Sequence, residues 1–402
     1  MNLHSRSTIP FMMAAVCLST AACSSSDGDN ADAPKGGEYA KGIADPCTTN
    51  PLHTDFQNDS LCLEPPPADV GDQIHYGPAL GADYDNPDVI APFVIPPGAG
   101  DYVNCMFAET NNDDVVYSAE YHTRARFGTH HVIMWMGVTD DAVHKEPGTF
   151  AKECRGLPGH IFFPGTQAGL GKEGARLDVP VNGKEAPENE GFARRILPHA
   201  DIAIETHYVN VTDEPMLAEV WMNVIYMPKD ELKVLTDPIF LIGGLNANVG
   251  YGEKQITGMD HVPPPVDADG NDIRIMGFAA HTHAHTQRTT AWINREGATD
   301  REYVYENYDW AEPLNAQFDS VHANPEITGM GMNKPAAFSG ILTMGKNDTF
   351  GWECEVVNND TQTHLTFGDG AYDKEMCNIF GFFAPGTGTS NWTAPFDLAY
   401  SR

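Results

Sequence analysis

The chain has 402 residues, 41% of them hydrophobic, and a formal net charge of -32 at pH 7. That length suits about two domains of ~150 residues behind a leader, and the apolar content is enough for real cores. So acidic a surface excludes nucleic acid as a partner, because phosphate binding needs a basic face; it keeps the chain in solution and identifies no substrate.

In chain order, residues 1–22 read as an export signal. Arg6 supplies the positive start, and the run from Ile9 to Leu18 is apolar but too short to span a bilayer permanently. Thr20-Ala21-Ala22-Cys23 resembles a bacterial lipobox, which implies cleavage before Cys23 and a lipid on its sulfur. The alternative is an ordinary signal peptide cut near Ala22. Ser24 resembles the outer-membrane sorting pattern. Residues 23–44, rich in Ser, Asp, Gly and Ala, read as a flexible tether. The expected location is outside the cytoplasm, as an outer-membrane lipoprotein or in the periplasm or cell surface. The only expected membrane contact is the N-terminal lipid.

Cys17 lies in the leader and Cys23 is the lipidation candidate. That leaves Cys47, Cys62, Cys105, Cys154, Cys354 and Cys377. An even set in an exported chain predicts disulfides, and no CxxC suggests a zinc ribbon or thioredoxin-like site. Spacing does not decide among the possible pairings; the expected one is Cys47–Cys62, Cys105–Cys154 and Cys354–Cys377.

Two folded domains are expected, over 45–229 and 230–402. Pro65-Pro66-Pro67 and Pro96-Pro97-Gly98 punctuate a stretch of loops and short strands. From Tyr102 the pattern turns to β, through 115–126 and Thr129-His130-His131-Val132-Ile133-Met134-Trp135-Met136. The polar, Gly-rich segment 140–195 reads as loops, with His144 and His160 in it and no partner assigned to either. A strand over 200–209 puts Asp201, Ala203, Glu205 and His207 on one face. Another over 218–227 closes this half. The second half has the same make-up, with short strands, Gly/Pro turns and weak helix signals. The predicted class is all-β, two β-sandwiches in tandem.

Histidines carry the chemistry. On a regular strand His281, His283 and His285 share a face, and two imidazoles spaced i, i+2 can grip one metal ion. His130 and His131 are adjacent and would face opposite ways, so both reach one metal only at a strand end or a bulge. Met376 offers a soft thioether, which favours copper in its reduced state, although a methionine beside a strand is ordinarily core.

The ordered set Thr129-His130-His131, Glu205-Thr206-His207-Tyr208, His281-Thr282-His283 and Glu375-Met376-Cys377-Asn378 resembles the copper type II, ascorbate-dependent monooxygenases, the family of peptidylglycine α-hydroxylating and dopamine β-monooxygenases. The resemblance runs from about Tyr102 to Phe383. It implies two jelly-roll-like domains and two coppers per chain. His130, His131 and His207 would hold an electron-transfer copper; His281, His283 and Met376 would hold the oxygen-activating one. It implies that O2 and a one-electron donor such as ascorbate hydroxylate a C–H bond of a small organic substrate in a cleft between the domains. It also implies a disulfide beside the methionine, here Cys354–Cys377, and matches Cys105.

Three positions depart from the family. The peptidylglycine branch has a carboxylate-binding arginine where this chain has Ala279, so a peptide ending in glycine is not the expected substrate. His285 is additional: an outer-sphere group, an extra ligand, or an exposed residue. Gly137-Val138 stand where the animal enzymes have a cysteine. Glu205 either hydrogen-bonds a ligand or solvent in the cleft, or faces solvent. Two further readings compete: an exported copper-binding or storage lipoprotein without oxygenase activity, and a structural β-sandwich whose histidines are incidental.

Overall fold

A computed structural model describes Cys47 and residues 54–79, 82–140, 142–151, 154, 157–167, 174–180, 186–265, 272–327, 336–359, 363–395 and 398–401. The expected leader, Cys23 and the tether lie outside the described residues. The described residues belong to one compact unit.

The fold is all-β, with two sandwiches in sequence. The first packs a six-stranded sheet against a five-stranded one. Three neighbouring strands of the latter matter for the site: β1 (Gly100–Glu109), β2 (Thr129–Gly137) and β3 (Asp201–Asn210), in the order β1-β3-β2. In the second sandwich a five-stranded sheet centres on β4 (Ile273–Thr282) and β5 (Cys377–Ala384), and a six-stranded sheet backs it. Among the described residues no sheet shares strands across Thr236. Val234–Leu235 still pairs with Phe192–Ala193, and Asp237–Leu241 pairs with β5. The junction expected at 229/230 falls on the short turn Lys229–Glu231 just before.

Every residue of β2 is buried. The alternation explains why. Val132, Met134 and Met136 point into the core of the first sandwich, while Ile133 and Trp135 point out of the other face. That other face is not wet. Cys105, Phe107, Phe162 and Ala203 share it, and Phe240 and Phe380 of the second sandwich cover it. Phe240 and Phe380 stack with centroids 5.2 Å apart and planes 4° from parallel. A sheet covered on both faces needs apolar residues at every position, hence the unbroken run Val132 to Met136.

The segment 140–195, expected as loops, contains His160–Gln167 paired with β2 and Phe192–Ile196 paired with Val116–Ala125. The correction has a physical source: without these neighbours β2 would leave its backbone donors and acceptors unpaired in a buried place. The strand expected through His285 stops at Thr282, and 283–285 form the turn into Thr286–Asn294 of the opposite sheet.

Three disulfides join Cys47–Cys62, Cys105–Cys154 and Cys354–Cys377. Such bonds persist in an oxidising compartment, in keeping with export. Among the described residues no helix is long and apolar enough to cross a membrane.

Candidate metal centre

β2 and β3 run antiparallel, and their register brings His207 opposite His131. The pairing then jumps to Tyr208 opposite Thr129, which leaves His130 as the extra residue of a bulge. In a regular strand His130 would follow Val132 into the core. The bulge turns it to the same side as His131 and His207. On the facing sheet β4 ends with His281 on the side of Ala279, opposite Asn378 of β5, and His283 opens the turn beyond.

These two ends meet. The His130 ring lies 5.4 Å from His131, 5.0 Å from His207, 4.9 Å from His281 and 5.2 Å from His283, centroid to centroid. His131 stands 4.8 Å from His281. All five histidines are buried, none more than 2% exposed. The resemblance divides them between two coppers, whereas the structure gathers them in one cluster. The trio whose ligand nitrogens lie within 4.8 Å of one another, His130, His131 and His281, draws on both sandwiches.

Their outer nitrogens are held. His207 Nε2 lies 2.8 Å from Asp101 Oδ1. A carboxylate only accepts, so Nε2 carries the proton and Nδ1 presents its lone pair inward. His283 Nδ1 donates to the Lys374 carbonyl at 3.4 Å, which leaves Nε2 as the lone-pair nitrogen. His131 Nε2 donates to Glu205 Oε1 at 3.4 Å. His207 Nδ1, His283 Nε2 and both nitrogens of His130 are buried with no hydrogen-bond partner. Burial, and then the four neighbouring imidazoles, holds His130 well below the usual histidine range. Burial and then His207 bring His283 down to about 3. His130 and His283 are therefore neutral, the form that ligates metal. Inner nitrogens left bare and outer N–H groups tied to carboxylates or carbonyls are the arrangement of metal-binding histidines. An orphaned buried nitrogen costs about 1–3 kcal/mol, and a metal ion removes that cost. The donor set fits copper.

Met376 lies in the second sandwich, tied to His283 through a shared carboxylate. Glu375, fully buried, accepts from the backbone N–H groups of both His283 (2.8 Å) and Met376 (2.9 Å), so one carboxylate fixes both residues. Burial pushes its carboxyl up to about 7. Asn378 Nδ2 donates to the Met376 sulfur at 3.4 Å. Cys354–Cys377 ties this corner to the backing sheet. Gly243 passes so close that a Cβ there would stand 2.5 Å from the Cys377 carbonyl oxygen.

Glu205 is buried against His131 and does not face solvent. His285 is also buried, so the exposed reading of it fails. Its Nε2 donates to the Tyr372 carbonyl at 2.7 Å and so anchors the loop before Met376. The side chain of Asp101 escaped sequence reasoning, because nothing local marks an aspartate at the start of β1. Its Oδ1 accepts from the first sandwich through His207 and from the second through Ala371 N at 2.8 Å. Phe380, stacked on His281 at 5.6 Å, and Trp310, 5.7 Å from His130, were equally invisible; each meets its histidine only in the tertiary fold. Phe380 and Trp310 thus stand beside the cluster, one against a histidine of each sandwich.

The chain matches no protein-family model and no curated relative. Among solved structures it is similar to PNGase F, a glycosylasparaginase from Flavobacterium meningosepticum, at 10% identity and a TM-score of 0.31, over 82% of this chain and 99% of that one. A recombinant N-glycanase F matches at 11% identity and a TM-score of 0.28, over 74% and 92%. At these scores neither likeness bears on the chemistry of the site.

Proposed function

We propose that this chain is a copper-dependent monooxygenase that hydroxylates a C–H bond of a small organic substrate, with O2 and a one-electron reductant such as ascorbate. The observation that carries the reading is the histidine cluster with its inner nitrogens bare and its outer nitrogens held. His130, His131, His207, His281 and His283, with Met376, would hold two coppers. Bound copper would supply the one-electron redox and oxygen chemistry that no protein side chain provides. The chain's own residues orient and exclude. Asp101 and Glu205 fix the tautomers of His207 and His131, and Glu375 fixes the backbone of His283 and Met376. Phe380 and Trp310 keep water from the rings. Ala279, buried beside His281, offers no charge to a carboxylate, which argues against a substrate anchored there by one. Lipidation at Cys23 would tether the body to the outer membrane; intact-mass measurement of the mature chain tests it.

The burial of all five histidines favours a second reading, an exported copper-binding or storage protein without oxygenase activity. Copper stoichiometry together with X-ray absorption of the reduced form separates the readings from a metal-free scaffold. Two coppers per chain, with a sulfur scatterer that disappears in Met376→Ala, support both copper readings. One copper or none removes the first. Ascorbate-driven O2 consumption by the two-copper form, abolished in His281→Ala, then selects the monooxygenase; a two-copper form that consumes no O2 selects storage.

A further inference from the structure

A second group of metal-ligating side chains stands at the opposite end of β1 and β3. Asp201 opens β3 and Glu109 closes β1, and the register puts them directly across from each other. Like charges in that position repel. His207 lies six positions along β3 from Asp201, roughly 20 Å at the usual rise, so this group is remote from the histidine cluster. His144, on the loop after β2, reaches across so that its Nδ1 lies 2.6 Å from Asp201 Oδ1. One ligand atom from each of Glu109, His144 and Asp201 lies within 4.8 Å of the other two. The loop is pinned beside them by hydrogen bonds from Val143 N to the Pro158 carbonyl and from Gly148 N to the Phe107 carbonyl. His199 adds a further imidazole, its Nδ1 3.1 Å from Glu109 Oε1 and its Nε2 3.2 Å from Asp113 Oδ1. Its backbone takes φ 48°, a left-handed conformation unusual outside glycine.

We propose that Glu109, His144 and Asp201 form a surface site for one divalent cation of the zinc or copper(II) class, with His199 as the adjoining imidazole. Two carboxylates and an imidazole match the donors that such ions take, and three protein ligands leave the remaining position to water. The carboxylates lie opposite each other on neighbouring strands, so their separation is set by the sheet. His144, 57% exposed, has the freedom to close the shell. In the metal-free chain His144 and His199 offset the two carboxylates; the ion would take over that role with release of the His144 proton, and would tie the loop carrying His144 to the strand ends. The site does not depend on the function proposed above.

The test is calorimetric titration of the metal-free mature chain with Zn2+ alone, repeated on His144→Ala, Glu109→Gln and, as a control at the other centre, His130→Ala. The expected result is Zn2+ uptake that falls by one equivalent in His144→Ala and in Glu109→Gln, while His130→Ala keeps that equivalent and alters only uptake at the buried cluster. Zn2+ should also raise the melting temperature of the wild type, and that rise should shrink in His144→Ala, whose position on a surface loop spares the fold. Zinc uptake that is unchanged in both His144→Ala and Glu109→Gln would overturn the proposal. If the buried cluster binds no metal, His130→Ala changes nothing and the loss in His144→Ala persists, so the two centres succeed or fail separately.

Discussion

Asp101 shows how far the centre depends on groups that need never touch a metal. One carboxylate oxygen accepts from His207 and from Ala371. Burial pushes its pKa up, but these two hydrogen bonds outweigh burial and leave the carboxyl below its ordinary range. Asp101→Ala should cost about 2–3 kcal/mol in the metal-free protein, the scale of a charge-assisted pair. It should also weaken copper binding about 10–100-fold, because His207 loses its fixed tautomer. Urea denaturation and competitive copper titration would check both, and an unchanged affinity would remove Asp101 from the centre. The titrating groups give a pH dependence as well. The unfolded chain protonates His130 and His283 near 6.5, whereas the folded chain keeps His283 neutral to about 3 and His130 neutral well below 6.5. Their stabilising contribution is complete above pH 6.5 and is lost as pH falls. Glu375 works in the opposite direction between 4.5 and about 7, since its folded pKa is raised. Glu375 offsets one of the two histidines, so the other leaves a net fall in stability as the pH drops below 6.5. Denaturation of the metal-free protein at pH 7, 6 and 5 measures it; rising stability on acidification would contradict the neutral-cluster assignment.

Among the strands, β5 owes its hold on the backing sheet to a covalent staple and its close approach to residue 243 to a missing side chain. Cys354–Cys377 closes 23 residues between the two sheets of the second sandwich. A loop of that length is worth about 3 kcal/mol in the chain-entropy view. Replacing both cysteines by serine should lower the unfolding free energy by about that amount and loosen Met376, which shows as a weaker sulfur signal in the reduced copper form. Gly243→Ala tests the close approach in another way. Its new Cβ would have to displace the Cys377 carbonyl, so the variant should lose stability although it adds only a methyl group. A melting temperature equal to wild type would show that the corner yields. The bulge at His130 was legible in outline before the fold was known, because two adjacent histidines reach one place only if a strand slips by a residue. The end of β4 at Thr282 was not, since alternating His-Thr-His reads the same in a strand and in the first residues of a turn.

For the molecule as a whole, the aromatic contact between the sandwiches decides whether five histidines make one cluster. Phe240, Phe380, Phe162 and Trp135 fill that contact, and Phe380 also stacks on His281. Phe380→Ala should cost about 3–5 kcal/mol and should let the halves open independently. Amide exchange in β2 would rise well above that in the cores behind it, and Trp135 emission would shift to the red. Exchange that stays uniform across both sandwiches would mean that the contact does not hold them together.

Local pattern was sufficient for the all-β class, for the export chemistry of the cysteines and for the histidines worth watching. Each rests on short-range physics: side-chain alternation, turn residues, and the small set of residue types that bind metal. Pattern did not reveal the strands within 140–195, the burial of Glu205 and His285, or the roles of Asp101, Glu375 and Phe380. Those depend on which faces are covered, and covering is a long-range property. Two sheets far apart in the chain press together, exclude water, and turn ordinary polar residues into the groups that orient the imidazoles.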